Sequence, residues 1–316
     1  MIEHEVIIIG GGPAGSACAG ELVKNGLSTL ILDRAEFPRT KLCAGWVTPR
    51  VFRSLGIKPQ DYPRSIIKLK KLIFHFYGHR FPLPTRQFSI RRFEFDEWLL
   101  KRSGADFRVH HVRQIRRDQS YFIIDNQFQC RNLIGAGGTH CPVYQNFFKT
   151  ENPHADENSI ITLELEYEYP WVDPNCYLWF FENQLSGYSW YVPKGNGYLN
   201  IGVGASEKKL QTTGKTIREQ WQSFSTKLQQ KGLINGPVPK PKGHRYYLRG
   251  DVSGIRHKNI YLVGDALGMA TPDMGEGIGP AIESGILAAR SIISGEPYQP
   301  QKIRRYSFPG LLFPGL

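Results

Sequence analysis

The stretch Val6-Ile7-Ile8-Ile9-Gly10-Gly11-Gly12-Pro13-Ala14-Gly15 decides the fold. A continuous apolar, β-branched run reads as a strand buried on both faces, the mark of a parallel sheet. Gly10, Gly12 and Gly15 then follow at G-x-G-x-x-G spacing. Gly10 permits the tight turn out of the strand, Gly12 lets backbone approach a pyrophosphate, and Gly15 lets the next helix pack close to the sheet. Ala14 to Lys24 is helix-compatible and small on one side, and Asn25-Gly26 closes it as a C-terminal cap. The free N–H groups and positive dipole end of that helix make a phosphate site. A second apolar run, Leu30 to Leu32, ends in Asp33, 18 residues beyond Gly15. That is close to the spacing of a ribose-binding carboxylate, and Arg34 follows it. Strand, glycines, helix, strand and acid in this order predict dinucleotide binding rather than a glycine-rich structural turn. An acid at this position favours an unphosphorylated adenosine ribose, hence FAD or NAD ahead of NADP.

A second glycine-rich site lies near the other end. Ile260 to Val263 is an apolar run that leads into Gly264-Asp265. Thr271-Pro272-Asp273-Met274-Gly275-Glu276-Gly277-Ile278-Gly279 follows, and Pro280 to Arg290 reads as a helix with small residues on its packing face. Pro280 is tolerated in a first turn because its missing N–H has no intrahelical partner there. Bare amides at a second helix start make another site for negative charge. A plain NAD dehydrogenase has no need of it. FAD does: one helix serves its pyrophosphate and another the pyrimidine edge of its ring, where charge develops on reduction.

Composition narrows the rest. The chain has 316 residues, 41% hydrophobic and 22% charged, which suits a folded chain with a sizeable core. Its 40 Lys+Arg against 28 Asp+Glu leave a net charge of +12. The basic residues are dispersed in short groups, with no zinc-finger or RNA-recognition signature, so nucleic acid is not an expected partner. Five widely spaced cysteines without C-x-x-C suit a reducing compartment. The acidic start MIEHE does not read as a secretory signal, and no run approaches a membrane span. The expected location is cytoplasmic, with at most a peripheral contact with an anionic membrane if the substrate is a lipid. Oligomeric state is not legible.

Taken together, these motifs resemble the FAD-dependent oxidoreductases of the p-hydroxybenzoate hydroxylase fold, and within them the geranylgeranyl reductase family. VIIIGGGPAG with Asp33 is similar to the family's first nucleotide motif, and LVGDALGMATPDMGEGI to its second flavin motif, where Asp265 would hold the ribityl chain. RFEFDEWL resembles a segment whose arginine, here Arg92, approaches the cofactor. KLCAGWVTP is similar to the loop that places Cys43 and Ala44 near the flavin ring. GYSWYVPKGNGYLNIGVG resembles the aromatic motif Y-x-W-x-F-P, with Tyr188, Trp190 and Pro193 in place and Val192 for Phe. The middle motif, usually G-A-D-G, reads Gly135-Ala136-Gly137-Gly138, and Cys141 stands where Ser is usual.

The resemblance implies an α/β chain: a Rossmann-like doubly wound FAD-binding domain with an inserted, mainly antiparallel β-sheet substrate domain. The expected division is 1–65, 86–145 and 245–316 for FAD, and 66–85 and 146–244 for substrate. Expected cofactor-binding residues are Gly10, Gly12, Pro13, Ala14, Gly15, Asp33, Arg34, Cys43, Ala44, Arg92, Ala136, Gly137, Gly264, Asp265, Pro272, Gly275, Gly277 and Ile278. Cys43, Tyr188 and Trp190 are the candidate catalytic residues. The implied activity is reduction of a carbon–carbon double bond in an apolar, prenyl or lipid-like substrate, with NAD(P)H or an electron-carrier protein as reductant. The rival readings are a flavin-dependent monooxygenase and, from Gly137 and the early end of the chain, a flavin-binding protein without turnover.

Between the motifs, Lys71 to Tyr77, Ile161 to Tyr169 and Tyr198 to Val203 alternate as strands. Ten aromatic residues between 167 and 191 either line an apolar pocket or pack the sheet. Thr216 to Lys231 reads as an amphipathic surface helix. His75 and His79, on one extended strand, would lie roughly 13 Å apart, too far to share a metal. Glu276 is either a proton donor or a first-turn helix acid.

Overall fold

The computed structural model describes residues 1–252 and 257–308. The third expected FAD segment, 245–316, therefore runs in part outside the described residues. The run at 6–9 does form the middle of a parallel sheet. Strand Ile2–Ile9 lies between Thr29–Asp33 and Phe128–Gly135, with Ile7 opposite Leu133 and Ile8 opposite Ile134. Asp106–Val109 continues the sheet on one side. On the other, the second half of Phe128–Gly135 pairs with Ile260–Leu262, and its first half with an antiparallel hairpin, Ile115–Asp118 and Tyr121–Ile124.

Alternation sends Val6 and Ile8 to one face and Ile7 and Ile9 to the other, and both faces are fully covered. The first face carries helices Pro13–Lys24, Arg92–Ser103 and Ile278–Ser294. The last crosses the first where a Cβ on Gly285 would strike the carbonyl of Ala14. That close approach sets the starts of the two glycine-loop helices side by side, although 265 residues separate Pro13 from Ile278. The opposite face is closed by the hairpin, the short helix Pro142–Phe147 and Leu267 and Met269.

A second seven-stranded sheet runs in the order Lys242–Tyr247, Ser159–Glu168, Tyr198–Ser206, Gly187–Lys194, Cys176–Phe180, Lys71–Phe76, His79–Pro84. All neighbours are antiparallel except Lys71–Phe76 with Cys176–Phe180. Helix Ile217–Gln230 covers its outer face through Trp221, Phe224 and Leu228. A capping box starts that helix: Thr216 Oγ1 accepts from the Glu219 N–H at 3.2 Å, and the Glu219 carboxylate accepts from the Thr216 N–H at 2.7 Å. A third, three-stranded sheet joins Trp46–Val47, Phe88–Ile90 and Ile66–Lys68.

Three details differ from what the sequence predicts. Strand Ile66–Lys68 belongs to the small sheet, and strand Lys242–Tyr247 runs through 244/245, the expected boundary between the substrate and FAD segments. His75 and His79 do not share a strand: Tyr77-Gly78 turns the chain, so His79 pairs with Phe76 across a hairpin. The turn uses φ of +47° at Tyr77 and +85° at Gly78, which periodicity alone does not signal. Among the described residues no group of three His, Cys, Asp or Glu is placed to hold a metal. Among them, too, no helix is long and apolar enough to cross a membrane.

Candidate active site

A cavity of about 860 Å³ lies between the two large sheets. Its floor is the first glycine loop. Gly10 has φ of +114°, and a Cβ there would collide with Ala136, so only glycine makes this turn. Gly12 is different: a Cβ would meet nothing closer than the Arg39 guanidinium at 3.6 Å. The space over Gly12 belongs to the cavity. Pro13, Ala14, Asp33, Arg34, Ala136 and Gly137 line it too, whereas Gly15 does not. Gly15 faces the carbonyl of Gly10 and the side chains of Ile8 and Ala136, which is the helix-to-sheet contact expected of it. The Asp33 carboxylate is held by the N–H groups of Gly11 at 2.8 Å and Ala35 at 3.0 Å. Two backbone donors fix its direction, and among the described residues no side-chain cation is in contact with it.

The second glycine loop forms the adjoining wall through Gly264, Asp265, Pro272, Gly275, Gly277 and Ile278. The loop is closed on itself: Gly275 N–H donates to Thr271 O and Thr271 N–H to Glu276 O, both at 2.9 Å. Ser284, in the second turn of the helix, accepts from the Gly264 N–H at 2.9 Å. Glu276 is pushed up to about 7 by burial first and by the neighbouring Glu283 second.

The Cys43 loop enters from the side. Cys43 Sγ accepts from the Gly45 N–H at 3.4 Å, and Cys43 O accepts from Asn200 Nδ2 at 3.3 Å. Lys194 is fully buried and donates from Nζ to the carbonyls of Ala44 and Ile90. So the second sheet holds this loop, through Asn200 and Lys194. Arg92, also buried, makes a two-pronged pair with Asp96 at 2.6 and 2.7 Å. Arg39 reaches Asp96 at 3.8 Å and stacks on Phe37.

The second sheet is the roof, and strand alternation divides the aromatic cluster. Phe180, Tyr188 and Trp190 face the cavity, while Trp179, Tyr191 and the partly buried Tyr177 pack towards the covering helix. Both readings of the cluster are therefore realised, one on each face. Tyr188 OH donates to Met274 O at 2.6 Å, tying the roof to the second glycine loop. Trp190 Nε1 donates to Asn200 Oδ1 at 2.7 Å. A Cβ on Gly202 would collide with the Trp190 ring, so glycine lets the indole lie against the next strand.

Several cavity residues carry no signal in the sequence. Lys41 and His244 meet at 2.8 Å although 203 positions separate them. Burial lowers both: His244 falls to about 4, and Lys41 goes below its ordinary value. Glu164 on the roof is buried and pushed up to about 7. Alternation along Ser159–Glu168 does mark 160, 162 and 164 as one face, which is the one hint available for Glu164.

The site fits a long dinucleotide. Backbone is open to approach at Gly12, two adjacent helix starts present N–H groups, and one continuous cavity joins them. Comparison with known proteins agrees. Residues 3–60 match the family described as FAD binding domain. The chain is 33% identical to an uncharacterized protein of Methanosarcina barkeri over 93% of its own length and 76% of that protein's. It is 27% identical to the menaquinone reductase of Mycobacterium tuberculosis, covering 92% and 76%. It is also 27% identical to digeranylgeranylglycerophospholipid reductase 3 of Methanosphaera stadtmanae, covering 96% and 82%. Among solved structures, a geranylgeranyl bacteriochlorophyll reductase-like protein of Thermoplasma acidophilum superposes with a TM-score of 0.78 at 22% identity, over 95% of this chain and 81% of that one. With the two glycine cradles and the aromatic roof around one cavity, these likenesses place the chain in the geranylgeranyl reductase-like family of FAD-dependent oxidoreductases.

Proposed function

We propose that the protein reduces carbon–carbon double bonds in an apolar, prenyl or lipid-like substrate. The observation that carries the reading is the roof: Phe180, Tyr188 and Trp190 line the same cavity as both glycine cradles. Such a surface binds flat or hydrocarbon groups by area and shape, with few polar contacts. Relatives named as reductases of menaquinone and of a digeranylgeranyl lipid support it.

Bound FAD supplies a two-electron carrier whose hydride chemistry no side chain can provide. Gly10, Gly12, Pro13 and Ala14 would hold its pyrophosphate, with Asp33 and Arg34 at the adenosine ribose. Gly264, Asp265, Pro272, Gly275, Gly277 and Ile278 would hold its other half, with Ala136, Gly137 and Arg92 beside it. The chain's own work is then to exclude water, orient the substrate and deliver a proton. The aromatic roof does the first. Cys43 and Ala44, held by Asn200 and Lys194, orient the substrate. Cys43 is the candidate proton source, with Tyr188 and Trp190 shaping the space around the reacting carbon. The reductant is NAD(P)H or an electron-carrier protein, and a lipid substrate would be met at an anionic membrane surface.

The test is anaerobic turnover of purified, FAD-loaded protein with a prenylated quinone and with a geranylgeranyl lipid. Saturated product detected by mass spectrometry supports the reading. Oxygen incorporation under air without any saturated product would replace it with a monooxygenase.

A further inference from the structure

The roof of the cavity sets a few polar side chains, Thr162, Glu164 and His244 among them, beside its aromatic ones. Strand Ser159–Glu168 turns Ile161, Leu163 and Leu165 to the covering helix, and Ile160, Thr162 and Glu164 to the cavity. Glu164 is 2% exposed, and its Oε2 has no hydrogen-bond partner among the described residues. A buried carboxylate oxygen left unpaired is expensive, and the group avoids that state by keeping its proton. A protonated carboxyl is a hydrogen-bond donor.

The surroundings leave this balance close. Lys41 and Lys194 favour the charged form, as does the Asn200 amide, while Glu166 on the same strand opposes it. His244 beside Lys41 is neutral, as are the buried phenols of Tyr188 and Tyr246. Burial outweighs the two lysines. Space is also provided: the cross-strand partner of Glu164 is Gly202, where a Cβ would come within 2.8 Å of the Glu164 Cβ.

We propose that Glu164 is the substrate-recognition residue of this cavity, its neutral carboxyl donating a hydrogen bond to a carbonyl oxygen at the head of the prenyl substrate. A quinone and an ester both present such an oxygen. The inference rests on the function proposed above and adds the chemistry of the substrate's head. Once ionised, Glu164 has no proton to give and repels the carbonyl dipole. Affinity therefore falls as pH rises through the titration of Glu164.

The experiment is titration of oxidised, FAD-loaded protein at pH 6 and pH 8.5, read by flavin fluorescence. The probes are a short-chain menaquinone, a geranylgeranyl ester and a prenyl hydrocarbon without a carbonyl. Wild type should bind the quinone or the ester roughly tenfold tighter at pH 6, about 1.4 kcal/mol, and the hydrocarbon equally at both. Which carbonyl probe shows the effect identifies the source. Glu164→Gln, whose amide still donates but does not titrate, should bind that probe equally at both pH values. Glu164→Leu should bind it weakly at both. If Glu164→Leu does not load FAD, the Glu164→Gln profile decides alone. The proposal is overturned by a leucine variant that binds like wild type, by a glutamine variant that keeps the pH dependence, or by a wild type indifferent to both carbonyl probes. A wild type that binds as expected yet saturates no double bond defeats the proposed function and leaves the recognition role standing.

Discussion

The indole nitrogen of Trp190 donates to the Asn200 side-chain carbonyl at 2.7 Å, and the amide of the same Asn200 donates to the backbone carbonyl of Cys43 at 3.3 Å. One asparagine thus joins the aromatic roof to the loop beside the flavin site. Trp190→Phe would keep an aromatic ring but leave a buried acceptor on Asn200 without its donor. Such an orphan costs about 1–3 kcal/mol. Denaturant unfolding should show that loss. Gly202→Ala, which forces the indole aside, should show a loss of similar size. A midpoint unchanged in both variants would mean that this link carries no stability.

The glycines of the first loop separate cofactor from fold. Gly12→Val places its side chain in the cavity, where its one near neighbour is the end of the flexible Arg39 side chain, so its melting temperature without FAD should stay within a few degrees of wild type. FAD affinity should drop at least a hundredfold, about 2.7 kcal/mol. Gly15→Val instead meets the Gly10 carbonyl and should destabilise the apoprotein by about 1–3 kcal/mol or more. Differential scanning fluorimetry with and without FAD distinguishes the two. A Gly12→Val protein that purifies yellow and fully loaded contradicts the assignment.

Arg92 and Asp96 form a buried, two-pronged pair one helical turn apart. Removing one partner strands a buried charge, so Asp96→Leu should destabilise by about 3–5 kcal/mol. Combining it with Arg92→Met removes both charges and should recover most of that loss. Chemical denaturation of the single and double variants measures the difference, and equal midpoints would show that charge is not what the pair satisfies.

Glu276 sets a pH dependence of stability. Its carboxyl titrates near 7 when folded, against an ordinary 4.5. A raised acid in the folded state means stability that is complete below 4.5 and is lost as pH rises through 7. Glu276→Gln should therefore melt close to wild type at pH 4 and higher than wild type at pH 8, by on the order of 2–4 °C. Thermal melts of the FAD-free protein across that range provide the check. A gap that does not widen with pH would show that Glu276 is not the titrating group.

The amino-acid sequence by itself determined the two cradles and the face each strand presents. Those depend on local rules: a backbone turn that only glycine makes at Gly10, side-chain alternation in strands, and bare N–H groups at a helix start. It leaves open whether the aromatic cluster lines a pocket or packs the sheet; strands Cys176–Phe180 and Gly187–Lys194 do both, one on each face. Tertiary structure alone decided which polar groups share the cavity. Lys41 meets His244, Lys194 reaches Ala44 and Ile90, and Glu164 sits opposite Gly202 on the neighbouring strand. No local pattern marks such partners, because burial and charge balance arise only once distant strands close over the same space. The hairpin at Tyr77-Gly78 shows the same limit at short range: periodicity continued the strand, and pairing with Lys71–Phe76 turned it back.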